Sequence, residues 1–114
     1  MSYGNSWEKY PITEGEQWEF DKSIISVNDI TKGLPEYMLQ ADMIYCDPPW
    51  ELKNVNMFNS KSGRAYMDHF KEFYEPLFFH IERINPKVCY LQVGKPSLEI
   101  FKDKLEKQFE TVQV

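Results

Sequence analysis

Apolar positions along the chain repeat with two different periods. Ser23 to Val27 is a β-branched run, Ser-Ile-Ile-Ser-Val, closed by the turn-favouring pair Asn28-Asp29, and predicts a strand that ends in a loop. Ala41 to Cys46 is a second apolar run. Asp47-Pro48-Pro49 stops it abruptly, because proline has no N–H to give to a strand ladder. Tyr66, Phe70, Phe73, Leu77, Ile81 and Ile84 recur at spacings of three and four, which predicts a helix over 65–84 with one buried face and a kink at Pro76. Asn85-Pro86 breaks that helix, and Val88 to Val93 predicts another buried strand, ending at Gly94. Pro96 restarts helical structure with Leu98, Phe101, Leu105 and Phe109 on one face, and Lys102/Glu106 and Asp103/Lys107 as i, i+4 pairs on the other. Thr111 to Val114 reads as the beginning of a further strand.

Between these blocks the pattern weakens. The first 19 residues show no sustained period, and Trp7, Tyr10 and Trp18 mark residues 1–21 as an aromatic-rich extension that docks on the domain formed by 22–114. Gly33 and Pro35 limit 31–40 to a loop or a single helical turn, which Pro35 could open. Residues 51–64 are polar and glycine-containing and predict a long surface loop. The alternation of strands and helices is that of an α/β protein with a largely parallel sheet covered on both faces. Ligands of such sheets bind outside the carboxyl ends of the strands, so Asp29, Asp47 and Gly94, each following a predicted strand, should share one rim.

Composition adds limits. A chain of 114 residues can bury one core without metal or disulfide support. Aromatic residues make up 16%, a large share for so short a chain, so rings are expected to do much of the packing. Cys46 and Cys89 sit inside apolar runs and suit reduced core thiols in a cytoplasmic setting. No apolar run approaches the roughly 20 residues of a membrane span. The net charge of −5 gives phosphate little to bind, so any basic surface for nucleic acid must be local or come from a partner.

Asp47-Pro48-Pro49-Trp50 carries the chemistry. With proline near 5% of residues, an Asp/Asn/Ser-Pro-Pro-aromatic tetrapeptide arises by chance in a chain this long in under about one case in a hundred. As a bare strand-terminating turn it would also be made of Asp and Pro. At a strand end, however, the tetrapeptide resembles the signature of the amino-methyltransferases, which modify adenine N6 or cytosine N4. An exocyclic amino group is a poor nucleophile because its lone pair is delocalised into the ring. Two acceptors in fixed positions, the Asp47 side chain and the Pro48 carbonyl, would take its two hydrogens and turn the lone pair toward a methyl donor. The proline rings at 48 and 49 keep the stretch stiff. Trp50 offers a face for a flipped-out base, a contact worth about 1–3 kcal/mol.

A second match narrows the likeness. Ile25-Ser26-Val27-Asn28-Asp29-Ile30, followed at the same distance by 41–50, resembles the catalytic subunit of the mRNA adenine-N6 methyltransferase and its bacterial and phage relatives. The resemblance covers roughly residues 22–114. It implies an α/β, Rossmann-like methyltransferase sheet with helices on both faces and S-adenosylmethionine as cofactor. Asp29 would accept from the cofactor's adenine amino group, the Ile30 backbone would meet the ring, and Asp47 would border the same site. Adenine N6 in DNA or RNA is the expected target. The chain departs from the pattern in having no Gly-x-Gly; its five glycines are scattered. In permuted members that element follows the Pro-Pro motif, so the sheet is expected to be incomplete at its C-terminal end and to need a second chain or a homo- or hetero-oligomer.

Lys53, Asn54, Lys61 and Arg64 form the best local basic patch and are the candidate nucleic-acid contacts, with a solvated loop as the alternative. His69 and His80 have no cysteine or carboxylate in ligand spacing and read as surface or packing residues; no metal is expected. Phe70, Phe73, Phe78 and Phe79 read as core. The rival to an enzyme is a non-catalytic or partner-dependent binding subunit of a methyltransferase complex.

Overall fold

The computed structural model describes residues 9, 11 and 13–114; Trp7 and Tyr10, two aromatics of the expected N-terminal extension, lie outside them. Strand β1 (Gln17–Phe20) pairs antiparallel with β2 (Ser23–Ser26), with Trp18 opposite Ile25 and Phe20 opposite Ser23. The two-residue link needs a left-handed residue, and Asp21 supplies it at φ 53°. Backbone bonds extend the hairpin, from Gly15 N to Val27 O and from Val27 N to Glu16 O. β1 was not expected from the sequence, and it joins the extension to the domain across residue 21. A strand at 23–27 was expected, but in a parallel sheet; among the described residues it pairs with β1 alone, and antiparallel.

The second sheet is the parallel pair β3 (Met43–Cys46) and β4 (Val88–Leu91), in register from Met43/Val88 to Cys46/Leu91. Gln92 N donates to Cys46 O, so pairing runs one step beyond β4. Three helices follow or link these strands: α1 (Leu52–Lys61), α2 (Lys71–Ile84) and α3 (Lys95–Glu106). A short 3-10 helix, Glu36–Gln40, opens just after Pro35, matching the single turn expected there.

Strand alternation sends Ile44, Cys46, Cys89 and Leu91 toward the core made by Val55 of α1, Phe73, Leu77, Phe78 and Ile81 of α2, and Phe101 of α3. Phe101 is 1% exposed, and the rings of Phe70 and Phe78 lie 6.1 and 5.1 Å from it, so aromatic contacts do hold the centre. Met43, Tyr45, Val88 and Tyr90 point the other way and are exposed. The sheet therefore has one face covered by helices and one open among the described residues. The described residues form two sheets of two strands and do not show a full Rossmann sheet.

Four further expectations change. Residues 52–61 are helical, not a loop: Glu51 O accepts from Asn54 N and Val55 N, and Val55 is buried. The helix expected over 65–84 begins at Lys71, because Glu72 accepts hydrogen bonds from the Asp68 and His69 backbone and so closes its first turn. Phe79 is 56% exposed rather than core, with the Arg83 guanidinium over its ring. Residues 111–114 form no strand. The α2 stop is as expected, with Asn85 left-handed at φ 47° and ψ 57°, and both i, i+4 pairs of α3 form as ion pairs.

Candidate functional site

A cleft of about 580 Å³ opens where the loop after β2 meets the loop after β3. Ile30, Val55, Met67 and Phe73 give it apolar lining, Asp29 and Arg64 line it with charge, and Pro48 and Pro49 bring the tetrapeptide to it. That size and mix suit a small organic ligand. Asp29, Ile30, Pro48 and Pro49, picked from two separate motifs, thus share one cleft. Asp47 and Trp50 do not line it. Asp47 is exposed beside it, and its carboxylate makes no hydrogen bond or ion pair among the described residues.

Asp29 shapes its own loop. Its backbone carbonyl accepts from Lys32 N at 2.9 Å, which closes a turn with Ile30 and Thr31 at its centre. Its Oδ1 accepts from Thr31 N at 3.0 Å and Thr31 Oγ1 at 2.6 Å. Its Oδ2 is 2.8 Å from Arg64 Nη1. Burial raises the Asp29 pKa, but the Thr31 hydroxyl and backbone bonds and the charges of Arg64 and Lys32 together outweigh it and hold the carboxyl below its ordinary value. Arg64 also reaches Glu14 Oε1 at 2.8 Å, and Glu14 pairs with Lys32 at 3.3 Å. One guanidinium therefore ties the segment before β1 to the loop after β2.

The loop bearing Arg64 is fixed from α1. Asn56 donates to Met67 O at 2.9 Å and accepts from Met67 N at 2.7 Å, as a neighbouring strand would. The remaining basic candidates lie apart. Lys53 pairs with Glu51 at 3.1 Å, and Lys53 and Lys61 line a shallow groove with Asn56, Met57 and Tyr66; Asn54 faces neither the groove nor the cleft. Arg64 belongs to the cleft network, so the four do not form one patch.

Comparison with protein-family models, curated proteins and solved structures finds no match. The site must be read from its own atoms.

Trp50 packs against the Gly94 backbone: a Cβ added at Gly94 would stand 2.8 Å from Trp50 Cδ2. The rim residue Gly94 thus meets the tetrapeptide directly, as expected of neighbouring strand ends, whereas Asp29 follows a strand of the other sheet and so does not share a strand-end rim with them. Burial pushes the Cys46 thiol up to about 11, with Cys89 and Asp47 adding to the shift, and burial also pushes Cys89 up to about 11. Both stay protonated at neutral pH and are poor nucleophiles. No described helix is long and apolar enough to cross a membrane.

Sequence reasoning missed the roles of Glu14, Thr31 and His80. Thr31 carried a signal, two residues after an Asp that favours such turns. Glu14 carried none. His80, expected as a surface or packing residue, bonds the carbonyl of Ile30 at 2.7 Å.

Proposed function

We propose that this chain is a methyltransferase domain that uses S-adenosylmethionine to methylate the exocyclic amino group of a nucleic-acid base, with adenine N6 as the target. The carrying observation is that the Asp29-Ile30 turn and Pro48-Pro49 line one cleft of ligand size. The residues present fit the adenine end of the cofactor. Asp29 is an ionised acceptor, Ile30 N–H has no acceptor among the described residues, and Val55, Met67 and Phe73 offer apolar contact. When bound, the cofactor supplies an electrophilic sulfonium methyl.

The chain's own work is orientation. The Asp47 carboxylate and the Pro48 carbonyl, both without partners among the described residues, accept the two amino hydrogens and return the lone pair to nitrogen. Pro48 is buried, its own ring fixes φ and the Pro49 ring restricts ψ, so the Pro48 carbonyl is kept from rotating. After transfer the cationic nitrogen sheds a proton readily, so no strong base is required. Trp50 stacks on the base with the ring surface that Gly94 leaves open. Lys53 and Lys61, which share one groove, offer local positive charge for a nucleic-acid backbone, whereas Arg64 is held in the cleft by Asp29 and Glu14.

The Rossmann-like reading of the fold belongs to this proposal. The parallel β3–β4 pair, with motifs at both strand ends, supports it, and the open sheet face supports a second chain or another copy completing the domain. One observation favours the rival reading of a partner-dependent binding subunit: Arg64 already occupies Asp29 Oδ2. Calorimetric titration of the chain with S-adenosylhomocysteine separates the two. Binding that Asp29→Ala weakens tenfold or more, about 1.4 kcal/mol, supports the enzyme. A wild-type chain that binds nothing, alone or with added nucleic acid, defeats it.

A further inference from the structure

One buried side chain outside the Asp29–Lys32 turn holds that turn. His80, on the inner face of α2, is 5% exposed, and its Nε2 lies 2.7 Å from Ile30 O. A carbonyl only accepts, so Nε2 carries the hydrogen and donates. The other ring nitrogen, Nδ1, is buried with no partner among the described residues. A leucine would fill this helix position with no polar atom of its own left unsatisfied, but would leave Ile30 O without its donor. What the histidine adds is the bond to Ile30.

That bond acts on the part of the turn that faces the ligand. Ile30 is a central residue of the turn closed by Lys32 N and Asp29 O, and it lines the cleft. Its carbonyl is spoken for by α2, while its N–H has no acceptor among the described residues and follows directly on the Asp29 carboxylate. An acceptor and a donor on consecutive residues match the amino group and bare N1 of adenine. Hypoxanthine, with a carbonyl and an N1–H, reverses both groups.

We propose that His80 is a positioning residue: by gripping Ile30 O from α2 it fixes the Asp29-Ile30 turn in the register that prefers an adenine ring over a hypoxanthine ring. The ligand preference rests on the cofactor reading above, whereas the grip itself does not. A loose turn would still fold but would present donor and acceptor in varying register, so the loss falls on discrimination.

The test uses His80→Gln, whose amide can reach Ile30 O as a donor, and His80→Leu, which fills the space and cannot. Calorimetry gives each protein's affinity for S-adenosylhomocysteine and for its hypoxanthine analogue. Hydrogen exchange follows the Thr31 and Lys32 amides, and thermal unfolding controls for stability. His80→Leu is expected to lower the adenine-over-hypoxanthine ratio by about fivefold, the size of one hydrogen bond, and to speed exchange in the turn. His80→Gln should keep both close to wild type. Wild type discriminating between the ligands with both variants equal to it overturns the role of His80 and leaves the cofactor reading standing. Wild type binding neither ligand, with faster turn exchange in His80→Leu alone, overturns the cofactor reading and leaves the grip standing. A glutamine variant as impaired as the leucine variant overturns the grip.

Discussion

Two aspartates border the cleft, and they differ in nearly everything but charge. Asp29 is 15% exposed at its side chain and gives Oδ1 to Thr31 and Oδ2 to Arg64. Asp47 is exposed and bonded to nothing among the described residues. A carboxylate with both oxygens engaged stabilises its loop and has at most one lone pair of Oδ2 open to a ligand. A carboxylate with open acceptor sites does little for stability and is free to receive an incoming amine at once. Under the proposed function, the pair divides into one residue that builds the site and one that would act beside it. Arg64 marks the boundary, because removing it from Asp29 Oδ2 would open an acceptor beside the cleft, while Glu14 holds its other arm.

The largest expected effect that could break this division is on stability. Asp29→Ala removes two hydrogen bonds to a charged group and one of the two ion pairs of Arg64, and should lower the unfolding free energy in urea by about 1.5–3 kcal/mol. Asp47→Ala should change it by less than about 0.5 kcal/mol. Equal losses would erase the distinction. Gly94→Ala sharpens the Asp47 side: its new methyl collides with the Trp50 ring, so a loss on the order of 1 kcal/mol with a shift in Trp50 fluorescence is expected, although φ at Gly94 is −100° and suits any residue. Unchanged fluorescence would mean that the ring does not rest there.

Arg64→Gln should cost less than about 1 kcal/mol, since both its ion pairs are partly solvated. It should at the same time tighten S-adenosylhomocysteine binding, because Asp29 Oδ2 is set free; weaker binding would show Arg64 to be a ligand contact. The smallest effect is on pH. The Asp29 pKa is lower in the folded chain than in the unfolded one, so its contribution is complete above about pH 4 and is lost as pH falls through the folded value. Asp29→Asn should flatten that acid limb of stability, and Asp47→Asn should leave it intact.

The sequence made some of this legible and hid the rest for physical reasons. β2, β3 and β4 stood out as apolar runs with turn residues at their ends, and α2 and α3 because Phe73, Leu77, Ile81 and Phe101, Leu105 keep a helical spacing. Helix α1 was hidden because only Val55 of its ten residues is fully buried, and Asn54, Asn56 and Asn59 resemble turn chemistry; Asn56 in fact spends its amide on Met67. β1 has only four residues, too few for its Trp18/Phe20 alternation to register. The start of α2 was misjudged because Tyr66 keeps the helical spacing without being helical. Of the site, Asp29, Ile30, Pro48 and Pro49 could be named from local motifs. The Arg64–Asp29 pair spans 35 positions and His80–Ile30 spans 50, and no local pattern reports contacts at such separations.

The open sheet face carries the same lesson. Met43, Tyr45, Val88 and Tyr90 alternate with core residues and look as apolar as those that are buried. Strand sequence reveals two apolar faces but not what covers the second.

Transfer of a labelled methyl group from S-adenosylmethionine to adenine-containing DNA and RNA oligonucleotides, by wild type and by Asp47→Ala, tests the central claim most directly. The account predicts label on adenine N6 with wild type and a loss of about a hundredfold or more in the rate with Asp47→Ala, at unchanged stability. Equal transfer by the two proteins, or none by either, would contradict it.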